Sequence, residues 1–242
     1  MENNIARNEW KTFYLVSSIC VFTALAVMFA EMLITLLPDG AYEHLTVGNL
    51  LDLYNRNWFM GMRYMGFINI IATTLMIPVF FSLFGVHRKS NRVFAGFALI
   101  LTLVSYAIFI SDNVSFPLLN LSRKYLLSYT NNYRSLILSS AEALFAKGAS
   151  HTSGTFPGFF LSEIGTILFC IIMIKGNIFR KRTGVIGLIA FAFLFIFEII
   201  SSFIISLYNE ALIFAIIGGI FALTWYGLVG LELLKAAKSK KQ

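Results

Sequence analysis

The sequence predicts an all-α membrane protein: a polytopic bundle of six transmembrane helices with an extracytoplasmic cap of two amphipathic helices between helices 3 and 4. Two observations predict this class. Of the 242 residues, 58% are hydrophobic and only 13% are charged, whereas soluble domains usually carry about 25% charged residues. The apolar residues also form six long runs, each close to the roughly 20 residues that a helix needs to cross a bilayer core.

The six predicted spans form a single integral membrane domain. They cover about 12–37, 58–84, 93–113, 156–174, 183–207 and 211–234. The first run is too long for the core of a signal peptide, so we expect an uncleaved helix that stops at Pro38-Asp39-Gly40. Lipid offers the backbone no hydrogen-bonding partner, and the runs lack the alternation of barrel strands, so each span is expected to be helical.

The basic residues predict the orientation of the bundle. Thirteen of the 19 Lys and Arg residues fall in the two termini and the turns that share their side, and five fall on the opposite side. The positive-inside rule therefore places both termini in the cytoplasm. The net charge of +7 is explained by this topology, so the expected partner is the lipid bilayer and not nucleic acid.

The loop between spans three and four has about forty residues, a length that is typical of function or of local structure. Its apolar residues follow helical spacing after Pro117 and again from Tyr133 to Phe145, which predicts two amphipathic helices over about 117–148. They either rest in the outer membrane interface or cover a pocket as a lid. A shorter helix is expected at about 47–54 in the first outer loop.

Charged side chains inside the spans are the main candidates for function, because such groups are costly in lipid and usually face protein or water. The candidate ligand-binding residues are Glu31, Arg63, Glu163 and Glu198, with Asn69 and Asp112 at nearby levels. Counted from the outer ends of their spans, the four charged residues lie about 7–14 Å below the outer boundary. We therefore expect one charged layer in the outer half of the bundle.

Two interpretations of this layer stay open. Glu31 and Arg63 lie on consecutive antiparallel helices and are expected to pair. Glu163 and Glu198 would then need a proton, water or a cation, which predicts an outward-facing pocket for a small cationic ligand or a proton. In the alternative interpretation the charges only hold the helices together.

Small residues recur at Ala211, Ala215 and Gly219 in the sixth span, a pattern that lets helices approach closely. It is typical of packing within the bundle or of a homodimer face.

Few features of the sequence favour an enzyme. It contains no zinc-protease, serine-hydrolase, phosphate-loop or dinucleotide-binding motif. The three histidines, His44, His87 and His151, fall in predicted loops. His44 and His151 share the outer side with Glu43, but their separation along the chain favours no metal site, and no cofactor is expected.

Several segments resemble a poorly characterised family of bacterial six-span membrane proteins, a domain-of-unknown-function family. The matching segments are at 119–125, 141–144, 158–161, 174–179 and 183–187, so the similarity covers mainly the second half, about 95–200. The resemblance implies a location in the bacterial cytoplasmic membrane and the outer amphipathic hairpin, but it implies no activity.

The function expected from the sequence is therefore small-ligand binding or transport through the charged layer. The alternative is an accessory or regulatory subunit whose cap binds a membrane protein partner.

Overall fold

The computed structural model describes residues 2–35 and 45–239, without the side chains of 2–7 and 205. Within these ranges every regular element is a helix. The α-helices are α1 (Glu2–Thr35), α2 (Val47–Arg56), α3 (Trp58–Tyr64), α4 (Phe67–His87), α5 (Arg92–Asp112), α6 (Ser115–Leu126), α7 (Asn131–Gly148), α8 (Phe156–Gly176), α9 (Lys181–Phe203) and α10 (Tyr208–Lys238). Pro38, Asp39, Gly40, Glu43 and His44 lie outside the described residues.

Six helices are long and apolar enough to cross a membrane, as the sequence predicts. They are α1, α4, α5, α8, α9 and α10, and the third candidate continues from α5 into α6. Their packing closes a ring, because α1 contacts α4 and α10, α9 contacts α10 and α8, and α5 contacts α8 and α4. Many large apolar side chains remain exposed on the outside of this ring, where a bilayer would solvate them.

The second predicted span differs from the structure. The run expected to be continuous from Trp58 is broken into α3 and α4 at Gly66, whose φ of 78° lies in the left-handed region that favours glycine. The Asn113 side-chain amide donates to the Met65 carbonyl at 2.9 Å and so satisfies a backbone group at the break. Arg63 therefore lies on α3, before the membrane-length helix begins.

Aromatic side chains fill the middle of the ring. The Phe80 ring lies 5.7 Å from those of Tyr106 and Phe169, and the fully buried Trp225 lies 5.1 Å from Phe191. Edge-to-face and tilted ring pairs each add about 0.5–1.5 kcal/mol to the packing of such a core. The centre is thus closed by side chains and is not a wide pore.

The remaining helices α2, α3, α6 and α7 form an end layer on the ring. Their apolar faces meet around Leu50, Leu51, Leu118 and Ile137, all buried. The Tyr54 hydroxyl donates to the Ser115 carbonyl at 3.0 Å, and burial raises the pKa of this hydroxyl well above its ordinary value. Together, α6 and α7 cover nearly the same residues as the predicted pair of helices at 117–148. They pack with α2 and α3, so the layer contains four helices and not two.

The small residues of α10 divide between two faces. Ala211 is buried, and a side chain at Gly218 would meet Leu194 of α9 at 2.8 Å. Gly219 has no neighbouring atom within 4 Å of the position that a Cβ would occupy. Packing within the bundle therefore uses Ala211 and Gly218, and Gly219 belongs to the open face.

Candidate functional site

The expected contact between Glu31 and Arg63 is confirmed. The Arg63 Nε atom lies 2.9 Å from Glu31 Oε1 and 3.0 Å from Oε2, and its Nη2 donates to the Thr35 hydroxyl. Arg63 is buried, with 6% of its surface exposed. The Glu31 carboxylate and the Thr35 hydroxyl both accept hydrogen bonds from the Arg63 guanidinium. These contacts therefore hold the end of α1 against α3.

The ion pair is expected to stabilise the fold. Removing one partner of a buried pair typically costs about 3–5 kcal/mol, because the other charge stays buried without its counter-ion. We expect Glu31→Gln and Arg63→Met each to lower the melting temperature of the purified protein. The double variant with both substitutions should lose less stability than the sum of the two single losses. Thermal melts of the wild type, the two single variants and the double variant measure this coupling. Additive losses would contradict the pairing.

Asp112 forms a salt bridge outside the group of membrane-helix carboxylates. Its Oδ1 lies 3.0 Å from Lys147 Nζ, which joins the end of α5 to the end of α7. Asp112 also lines a narrow cleft with Phe109, Ser150 and Gly158. Its interior volume of about 10 Å³ is about the space of one water molecule. Asn69 is exposed at the start of α4, with its amide near Gly66.

Glu163 and Glu198 are brought together by the neighbouring helices α8 and α9. Glu163 is 7% exposed and Glu198 is 1% exposed, and their carboxylates are close enough for their charges to repel. The Ser202 hydroxyl donates to Glu198 Oε1 at 3.2 Å. Two acidic side chains therefore share one buried site.

His151 completes this site from the loop before α8. Its Nδ1 lies 2.8 Å from Glu198 Oε2, so with an ionised carboxylate the ring N–H donates to Glu198. The imidazole stacks on Phe159 at 4.5 Å and meets the edge of Phe197 at 4.9 Å. The His151 side chain is 36% exposed, so it connects the buried carboxylates to the outside of the bundle.

Glu163 Oε2 is buried without a hydrogen-bond partner among the described residues. The Tyr226 hydroxyl of α10 is near enough to the Glu163 carboxylate for the two groups to interact electrostatically. The Tyr106 hydroxyl of α5 interacts in the same way with Tyr226 and forms a hydrogen bond with the Ser162 side chain. An unpartnered buried carboxylate is costly, so this oxygen marks a position that a proton or a cation would occupy.

The contacts divide the expected ligand-binding residues into separate groups. Glu31 and Arg63 pair between α1 and α3, Asp112 pairs with α7, and Glu163 and Glu198 meet between α8 and α9. The counted depths predict the level of a residue along a helix, but they do not predict where that helix stands in the ring. Of the expected ligand-binding residues, Glu163 and Glu198 form the buried acidic pair between α8 and α9.

The sequence does not predict His151, Ser202 or Tyr226 as site residues. All three histidines fall in predicted loops, but His87 ends α4 as a fully buried residue, and the ring of His151 reaches Glu198. The position of His151 in the sequence is a usable signal, because it lies five residues before α8. A side chain there is expected at about the same depth in the bundle as Glu198. His44 and Glu43 lie outside the described residues. No three His, Cys, Asp or Glu side chains are grouped to hold a metal ion in the described ranges.

The chain matches no family model, no curated protein and no solved structure. The resemblance to a bacterial six-span family therefore stays a prediction.

Proposed function

We propose that this chain is a multi-pass membrane transporter that admits a proton or a small monovalent cation to the buried pair Glu163 and Glu198. The proposed orientation follows the charge distribution, with both termini in the cytoplasm and the end layer outside as a cap. A bacterial cytoplasmic membrane is the proposed location.

One observation carries this proposal: the buried, unpartnered Glu163 Oε2 beside a second carboxylate. Two such groups cannot both remain charged in an apolar environment without a compensating positive charge. Titratable pairs of this kind are typical of ion and proton pathways in membrane proteins. The site is therefore proposed to exchange a positive charge as part of its function.

The residues around the pair have distinct proposed roles. His151 receives the proton or cation from the outer side, because it is half-exposed and contacts Glu198 directly. Glu198 passes the positive charge to Glu163, whose Oε2 has no hydrogen-bond partner among the described residues. Phe159 and Phe197 hold the imidazole by ring contacts and exclude bulk water.

Chemical labelling tests the state of the buried carboxylates. A hydrophobic carbodiimide reacts with a carboxyl group that carries a proton in apolar surroundings. We expect it to label Glu163 or Glu198 in the membrane-embedded protein, as located by peptide mass spectrometry. Excess ammonium should reduce the labelling if the cation enters the site.

The matched control is Glu210, an exposed carboxylate at the start of α10, which should react only with a water-soluble carbodiimide. The proposal would be wrong if Glu163 and Glu198 stayed unlabelled under conditions that label other membrane carboxyl groups.

A second function, that of an accessory subunit, is favoured by the tip of the cap. Large apolar side chains are exposed at the end of α6, in the turn that follows and near the start of α7. They are Leu126, Leu127, Tyr129, which is 97% exposed, and Leu136. Such a patch suits a membrane protein partner. In that case substitutions at Glu163 and Glu198 would change stability but not ion uptake.

A further inference from the structure

Arg88 lies at the end of the ring opposite the cap and differs from Arg63 and Arg180, which both have an acidic neighbour. Arg63 pairs with Glu31 and Arg180 approaches Glu232 at 3.6 Å. Arg88 is half-buried and has no acidic partner among the side chains described for 8–35, 45–204 and 206–239. Its guanidinium instead lies 4.3 Å from the centre of the Trp10 ring.

Arg88 stands at the head of an aromatic column between α1 and α4. Trp10 stacks on Phe81 at 5.7 Å with an angle of 9° between the rings, and Phe81 meets the edge of Phe13 at 5.5 Å. Trp10 can lie flat here because Gly85 has no side chain, and a Cβ at that position would come within 2.0 Å of the indole. The column leads from the charged end of the helices to the exposed apolar face of Phe81.

The charges around the column favour an anion. Lys89 in the turn after α4 and Arg92 at the start of α5 lie near Arg88 along the chain. On α1, Trp10 is flanked by the basic Lys11 and the acidic Glu9. Arg binds phosphate oxygens with a planar set of donors and also stacks on aromatic rings. The arrangement therefore complements a phosphate at the membrane surface.

A shallow groove lies beside this column on the outward face of α1. It is lined by Thr12, Phe13 and Val16, together with Asn8 and Glu9, and it is open to its surroundings. Phe13 belongs to both the groove and the aromatic column. A lipid with its headgroup near Arg88 would place its chain along these apolar residues.

We propose that Arg88, Trp10 and the groove on α1 bind one anionic phospholipid, with the phosphate on the Arg88 guanidinium. The indole holds the guanidinium in place, and the basic turn between α4 and α5 strengthens the attraction for the headgroup. The bound lipid fills the space along α1.

Native mass spectrometry of the full chain in detergent tests this site, with phosphatidylglycerol as the probe and phosphatidylcholine as the neutral comparison. A basic side chain at the headgroup of an anionic lipid contributes about 1 kcal/mol to binding, so Arg88→Gln is expected to weaken phosphatidylglycerol retention about fivefold. Arg182→Gln removes the same charge from an exposed position outside the proposed site and should retain lipid like the wild type.

Arg88→Lys keeps the charge but not the planar donor set, so its retention should fall between wild type and Arg88→Gln. This variant also serves if Arg88→Gln fails to fold. Equal retention by wild type and both Arg88 variants would overturn the proposal, as would equal losses in Arg88→Gln and Arg182→Gln. Equal binding of phosphatidylcholine, or displacement of the lipid by inorganic phosphate alone, would also overturn it.

Discussion

Vesicles that contain the Glu163→Gln or Glu198→Gln variant are expected to take up protons at least about tenfold more slowly than vesicles with the wild-type protein. Glutamine keeps the size and hydrogen-bonding capacity of glutamate, but it cannot exchange a proton. The measurement uses a pH-sensitive dye inside the vesicles and an imposed inside-negative potential. Because a neutral amide is less costly to bury than a charge, melting temperatures should change little.

Two further variants separate a proton pathway from a general defect. Glu210→Gln changes an exposed carboxylate near the same end of the bundle and should leave uptake unchanged. His151→Gln removes the imidazole that contacts Glu198 at 2.8 Å and should slow uptake less than Glu163→Gln, since the smaller change leaves both carboxylates in place. Wild-type rates in the Glu163→Gln and Glu198→Gln vesicles, together with lowered melting temperatures, would favour the accessory-subunit interpretation.

The membrane helices could be predicted because lipid leaves the backbone few alternatives. An apolar run such as 156–174 has to form a helix to satisfy its peptide groups, and α8 covers it with small differences at the ends. The break at Gly66 was not predicted, because hydropathy is continuous across it. It depends on a left-handed glycine and on the distant amide of Asn113, neither of which produces a periodic signal.

The proximity of the two acidic residues could be predicted from the sequence, but their other neighbours could not. Glu163 and Glu198 lie on consecutive antiparallel helices, so equal depths bring them together. Equal depth does not bring Glu31 to them, because α1 packs on α4 and α10 and not beside α8. The contribution of His151 depends on the path of an irregular loop, where the residue itself has a φ of 57°. Such a path follows from tertiary packing and not from local pattern.

Gly187 on α9 lies where the packed core leaves no space for a side chain. A Cβ at Gly187 would lie 2.4 Å from Cδ1 and Nε1 of Trp225 and 2.5 Å from the Cys170 sulfur. Trp225 is fully buried and packed against Phe191 and Phe80, so its ring has no room to retreat. Helix association in lipid depends on such close packing.

Gly187→Val is therefore expected to lower the melting temperature of the purified protein by at least about 5 °C, since overpacking a core costs roughly 1–3 kcal/mol or more. Gly219→Val is the matched control, because open space surrounds that glycine, and it should melt close to the wild type. Adding Trp225→Phe to Gly187→Val should restore part of the loss, since phenylalanine lacks the pyrrole atoms that the new side chain meets. An unchanged melting temperature for Gly187→Val would contradict this packing of α9 on α10, because the clash involves atoms that are buried on every side.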